Sequence, residues 1–275
     1  MITPTFEQLA VQNDAEMDVA LGAALIAKDV YGSLDVKALL AKLAALATTS
    51  LIALPAHEQA AHLKVHVYET LGFRGNELDY YDPKNSLLPD VLERKTGIPI
   101  SLALVYCEVA KRAGVDASGV GFPGHFLVRI ERNTAAGEDP GAILVDPFFG
   151  GKVLDGEDLT RLLRRAAPKE TLRPEYLAAA SPRAILVRML ANLKSVHLAR
   201  GDHARAHLAL DRIVSLTPTS APALRERGLI AAKLGAVEAA RADLTRVLEL
   251  DPAGEGATAT RAALATLNAK PQSLN

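Results

Sequence analysis

Ser101, His125 and Asp146 are the residues whose types and placement could support nucleophilic chemistry in this sequence. Ser101 follows Gly-Ile-Pro-Ile, with Pro99 where a first helical residue should stand. Backbone N–H groups at a helix start are unpaired and the macrodipole is positive there, which favours an attacking oxygen or an oxyanion. His125 lies in GFPGHFLVRI at the start of a predicted strand. Asp146 closes the next predicted strand, ILVDP. Period-two alternation places Phe126, Val128 and Ile130 on one face and His125, Leu127 and Arg129 on the other. A His and an Asp on adjacent strands could pair, the carboxylate fixing the imidazole tautomer and raising its basicity. Each residue also has an ordinary reading: a Ser in a first helical turn, a surface His, and a strand-end Asp before Pro.

The single cysteine, Cys107, can be weighed by helical phase. Six residues at about 100° each turn it roughly 240° from Ser101, so the two cannot face one histidine. It lies mid-helix among Val105, Val109 and Ala110, which predicts a buried, inert thiol. HEQAAHLKVH, residues 57–66, has the look of a zinc motif, but His57 and His62 are five apart and leave a common face. His62 and His66 share a face, as do His203 and His207, yet neither pair has an evident third ligand. No phosphate-binding loop or dinucleotide spacing is present. No metal and no cofactor are expected.

These side chains need elements to position them. Residues 1–114 show helical periodicity: Asp14 precedes one apolar run, Ser33 and Asp35 precede VKALLAKLAALA, and AHEQAAHLKVHVYETLG ends on Gly72. GNELDYYDPKNS is rich in turn formers and predicts a structured loop. LLPDVLERKTG suggests a further helix, and GIPISLALVYCEVAKRAG another that closes at Gly114. From about 115 to 180 the period changes. ASGVGF, HFLVRIE and AILVDP are short β-branched runs, with NTAAGEDPG as a hairpin connection and DGEDLTRLLRRAA as a following helix. Helices feeding a small antiparallel sheet point to an α+β domain.

The remainder contains an internal repeat. Gly201 and Gly235, Ala206 and Ala240, Leu210 and Leu244, and Pro218 and Pro252 all recur at one spacing of 34 residues. A helix–turn–helix unit of about 34 residues is the tetratricopeptide pattern. About three repeats are normally needed for stability, so GEGATATRAALATLNAK is expected to form a capping helix.

Composition excludes several classes. Hydrophobic residues make up 49% and charged residues 23%, with a formal net charge of −1, so nothing favours nucleic acid or an anionic membrane. No apolar run reaches the roughly 20 residues of a spanning helix, and the acidic N-terminus lacks the basic start of a secretory signal. One cysteine suits a reducing compartment, and a cytoplasmic location is expected.

Read in order, YDPKNS, GIPISLA, FPGHF and DPFFGG resemble a transglutaminase-like core. Joined to tetratricopeptide repeats, that core is similar to the bacterial SirB-type family, and also occurs in some F-box proteins. The resemblance spans about 30–265. It implies an α+β, mainly helical, papain-like domain with a small antiparallel sheet over 1–180, its helical part about 1–96 and its core about 97–180. An all-α repeat module with a C-terminal capping helix follows over 181–275. By position, His125 and Asp146 take the family's His and Asp places, and Ser101 stands where active enzymes have Cys. An enzyme-like cleft is expected, lined by Ser101, His125, Asp146 and the loop residues Tyr81, Asp82 and Asn85. A hydroxyl is a far weaker nucleophile than a thiol. The expectation is therefore a non-catalytic or weakly active scaffold that binds a protein or peptide partner, the repeats offering a groove. The alternative is a transglutaminase-like acyltransferase or amide hydrolase using Ser101, His125 and Asp146.

Overall fold

The computed structural model describes residues 3–138 and 141–269. Asp139 and Pro140 of the hairpin loop, and Lys270 at the end of the capping segment, lie outside them. The chain divides into two compact units, 1–189 and 190–275. Among the described residues no helix is long and apolar enough to cross a membrane.

The first unit opens with α1 (Phe6–Ala10), α2 (Val19–Val30), α3 (Val36–Ala44) and α4 (Ala56–Lys64). The N-terminal caps follow the side chains. Asp35 accepts the Ala38 N–H at 3.0 Å, as its position predicts. For α2 the cap is Asp18, accepting from Leu21 at 3.0 Å, rather than Asp14. Asp14 opens a short 3₁₀ turn and pairs with Arg183 at 2.8 Å. Helix α2 buries Ala20, Ala23, Ala24 and Ala27, small residues that let a neighbour approach closely. A Cβ at Gly22 would lie 2.5 Å from a Leu186 methyl. Helix α4 runs on into a π-helical segment, Val65–Thr70, and the stretch ends at Gly72 with φ +77°.

Next come β1 (Arg74–Gly75), α5 (Leu88–Arg94), β2 (Thr96–Gly97) and α6 (Pro99–Arg112). Strands β1 and β2 form a short parallel ribbon in which Gly75 faces Gly97. Helix α6 begins on Pro99 as its fixed φ favours, and ends before Gly114 at φ +75°. It is the core helix of this unit, with Val105, Tyr106, Val109 and Ala110 fully buried.

The sheet contains β3 (Ala117–Val120), β4 (Leu127–Glu131), β5 (Ala142–Asp146) and β6 (Lys152–Leu154) in sequential antiparallel order. One face meets α7 (Gly156–Ala166), where Val120, Leu127, Leu144 and Leu154 pack with Leu159 and Leu163. Val128 and Ile130 are buried on the alternate positions of β4. The predicted strand is therefore two residues shorter at its start. His125 belongs to the preceding turn, where its N–H bonds the Phe122 carbonyl and Gly124 takes φ +68°.

Helix α8 (Pro182–Ala199) contains the division between units. The second unit continues with α9 (His203–Leu216), α10 (Ala221–Lys233), α11 (Val237–Leu250) and α12 (Ala257–Ala269). Gly201 and Gly235 close equivalent inter-helix turns at φ +72° and +81°, a conformation that favours glycine. The matched Ala206, Ala240, Leu210 and Leu244 are all fully buried, and α12 caps the stack through Leu267. At the crossing of α10 and α11, a Cβ on Gly228 would already touch Asp243 and Leu244 at 3.1 Å. Arg227 ties three helices together, reaching Asp243 at 2.6 and 2.7 Å and Asp211 at 3.0 Å.

Candidate functional site

The turn before β4 and the end of β5 bring His125 and Asp146 together. His125 Nε2 lies 3.0 Å from both carboxylate oxygens of Asp146. The Asp146 carboxylate is itself held in place, Oδ1 accepting the backbone N–H groups of Phe148 at 2.9 Å and Phe149 at 3.2 Å. With Asp146 2% exposed, this is a buried anchor that fixes the imidazole. Nδ1 of His125 has no hydrogen-bond partner among the described residues and is the ring nitrogen available to a ligand or a proton.

Ser101 is placed differently. It lies in the first turn of α6 and is 1% exposed. Its hydroxyl donates to the Asn85 carbonyl at 2.6 Å and accepts the Ile98 N–H at 3.1 Å. The Ile98 carbonyl lies at 3.1 Å. A hydroxyl carries one proton, and the shorter contact with Asn85 takes it. Ser101 thus satisfies a helix-start amide from inside the helix, one half of a capping box. Among the described residues no hydrogen bond joins it to His125. Gly97 makes this packing possible, because a Cβ there would sit 2.6 Å from Ser101 Oγ.

Asn85 is the centre of a second small network. It is fully buried, and its side-chain amide donates to the carbonyls of Asp79 at 2.7 Å and Tyr80 at 3.2 Å. Its Oδ1 accepts from Asn76 Nδ2 at 3.0 Å. Asp82 caps the 3₁₀ turn Pro83–Ser86 through the Lys84 N–H and pairs with Arg94 at 2.7 Å. The predicted cleft residues therefore divide by role. Asn85 and Asp82 hold the loop, whereas Tyr81 is 69% exposed and presented by it.

An aromatic chain links that loop to the histidine. Tyr80 meets Tyr81 and Phe148 edge-on, at 5.4 and 5.8 Å between ring centres. His125 lies edge-on to Phe148 at 6.5 Å and stacked with Phe149 at 6.4 Å. Phe148 also covers Gly75, where a Cβ would be 2.7 Å from its ring. Phe149 and Tyr80 are 49% and 41% exposed, so the cluster opens to solvent. Burial pushes the Tyr80 phenol up and Tyr81 adds to this, while the Arg188 guanidinium acts in the opposite sense.

On the inner side, Tyr68 of the π-helical segment and Tyr106 of α6 lie 6.3 Å apart, and neither hydroxyl has a partner among the described residues. Burial holds both phenols well above their ordinary range. Charge on Tyr106 and Asp146 adds to this at Tyr68. Cys107, expected to be buried, is only half-buried, because it lines a cavity of about 590 Å³ with Ile100, Ala103, Leu104 and Phe126. Burial pushes its thiol up to about 12, with Glu108 contributing, so the thiolate is scarce at neutral pH. Among the described residues no group of three metal-ligating side chains occurs, and His66 Nε2 instead meets the Leu46 carbonyl at 2.9 Å.

Sequence reasoning missed Tyr80, Phe148, Phe149 and Arg188. The first three carried a usable signal. The chain has six Tyr, six Phe and no Trp, yet places two of its aromatics side by side at 80–81 and again at 148–149. Arg188 carried none, being 63 residues from His125 along the chain.

Comparison with known proteins agrees with this architecture. Residues 34–191 match the transglutaminase-like superfamily, and residues 193–265 match the tetratricopeptide repeat. A UPF0162 protein of Xylella fastidiosa strain 9a5c is 38% identical over 98% of this chain and 96% of its own length. A UPF0162 protein of Pseudomonas aeruginosa is 37% identical over 61% of this chain and 59% of its own. F-box only protein 21 of the mouse is 34% identical over 47% of this chain, which is 20% of that protein.

Proposed function

The chain belongs to the transglutaminase-like superfamily, with tetratricopeptide repeats following, and we propose that it is a binding scaffold whose enzyme-like cleft holds a peptide rather than turning one over. One observation carries this reading: the Ser101 hydroxyl spends its only proton on the Asn85 carbonyl. Asn85 in turn fixes the backbone that carries Tyr80 and Tyr81. Ser101 thereby acts as a brace for a recognition loop, a role that a nucleophile free to approach a carbonyl could not share. Exposed tyrosines on a well-braced loop suit recognition, since Tyr contributes large contact area for few rotatable bonds. Tetratricopeptide stacks generally mediate protein–protein contacts through their concave surfaces, which supports a protein or peptide partner for the second unit.

The paired His125 and Asp146 support a second reading, an acyltransferase or amide hydrolase in which Ser101 attacks, His125 removes its proton and Asp146 orients the ring. That chemistry requires the Ser101 hydroxyl to exchange Asn85 for His125.

A fluorophosphonate probe, which reacts with activated serines, separates the two. On the scaffold reading the native protein incorporates no more probe than Ser101→Ala. Labelling of Ser101 that is lost in His125→Ala would return the enzyme reading to first place.

A further inference from the structure

Arg188, in the first half of α8, differs in charge pairing from the other half-buried arginines of its unit, whereas the exposed Arg74, Arg164 and Arg165 also show no ion pair among the described residues. Arg94, Arg129 and Arg183 of the same unit are each matched to a carboxylate: Asp82, Glu131 and Asp14. Arg188 has no such partner among the described residues. Its one hydrogen bond there is a long one, from Nη2 to the His125 carbonyl at 3.4 Å. The same guanidinium is close enough to Tyr80 to favour the phenolate. Arg188 therefore stands beside both ends of the aromatic chain, the His125 turn and the loop braced by Asn85. Among the described residues no ion pair joins Arg188 to the acids of that loop, Glu77, Asp79 and Asp82, the last of which is paired with Arg94.

We infer that this cluster is a recognition site for a carboxylate-bearing peptide segment, with Arg188 receiving the carboxylate and the exposed Tyr80 and Phe149, backed by Phe148, taking flanking apolar side chains. The charge argument is direct. A guanidinium offers a planar fork of donors matched to a carboxylate, and here that fork is largely unspent. His125 adds a second donor or acceptor through Nδ1, because Asp146 already occupies Nε2. The aromatic rings supply what a bare arginine lacks, an apolar wall that excludes water and strengthens the ion pair. Arg, Tyr and Phe together on an exposed, braced surface form the composition of an interface core rather than of an ordinary rim.

This inference rests on the reading of the cleft as a binding surface, and the test separates the two. The probes are acetyl-Leu-Phe-Glu-Phe-Leu-amide and its counterparts with Gln or Lys in place of Glu. They are titrated into the full chain while ring signals of Tyr80, Phe149 and His125 are followed by NMR. The Glu peptide is expected to shift these signals and to bind about ten-fold more tightly than the Gln peptide, the size of one charge-assisted contact. Arg188→Gln should erase that preference, and Arg188→Lys should keep part of it, with unchanged melting in both as the check on folding. Equal binding of Glu and Gln peptides, a preference for Lys, or a preference that survives Arg188→Gln overturns the carboxylate assignment while leaving the cleft a peptide site. If none of the three peptides moves any of these rings, the binding reading of the cleft falls with it.

Discussion

The start of α6 and the open end of the sheet hold residues that a sequence motif would treat as partners, yet their hydrogen-bonding states are opposite. At the sheet end, His125 uses one ring nitrogen on Asp146 and leaves the other without a partner among the described residues. At the α6 end, Ser101 has its donor and an acceptor position occupied by backbone groups of Asn85 and Ile98. A side chain with spare capacity can meet a ligand without cost to the fold. One whose capacity is spent must break a buried bond first. The difference teaches that a triad read by position has to be tested by asking what each member is already doing.

Three substitutions or treatments sharpen or break that contrast, and the first should have the largest effect. Asp146→Ala removes the acceptor for two backbone N–H groups and for His125, so it should cost about 3 kcal/mol in urea denaturation. A loss under about 1 kcal/mol would mean that the sheet end is not anchored in this way. Ser101→Ala orphans the Asn85 carbonyl and the Ile98 amide at a site 1% exposed, and about 2 kcal/mol is expected. The Tyr80 and Tyr81 ring signals should broaden or move with it. A silent Ser101→Ala would show that the hydroxyl is not a brace. The smallest effect concerns Cys107. With its thiol pushed up to about 12, roughly one part in ten thousand is thiolate at pH 8, so iodoacetamide should alkylate it far more slowly than free cysteine. Rapid labelling of the folded protein would reopen the thiol as a nucleophile.

Much of the frame was legible because it depends on local rules. Pro99 starts α6 and Gly114 ends it for reasons confined to φ and to the missing proline N–H. The 34-residue spacing exposed the repeats because each unit solves the same packing problem, with Ala206 and Ala240 at equivalent close contacts. The exclusion of Cys107 from the face of Ser101 followed from helical phase alone. The site was less legible. That His125 belongs to a turn and not to β4 depends on Gly124 adopting positive φ, which alternation cannot reveal. The Ser101 contact with Asn85 spans 16 residues and a loop, and Arg188 reaches His125 from α8. Contacts of that kind are set by how elements pack, and no window of sequence contains them.

The π-helical segment Val65–Thr70 carries a consequence of its own. A π turn amounts to one extra residue accommodated within a helix, and removing it would restore α geometry at little cost to the helix itself. Residues beyond the repair would then swing by about 100°, taking Tyr68 away from its seat against Gly151, where a Cβ would lie 2.5 Å from the ring. The seat of Tyr68 therefore depends on the register of this segment as well as on the identity of the side chain. Helix length between the Pro55 start and Gly72 thus decides which side chain meets the Gly151 turn, and deletion of one residue from Val65–Thr70 is expected to unseat Tyr68.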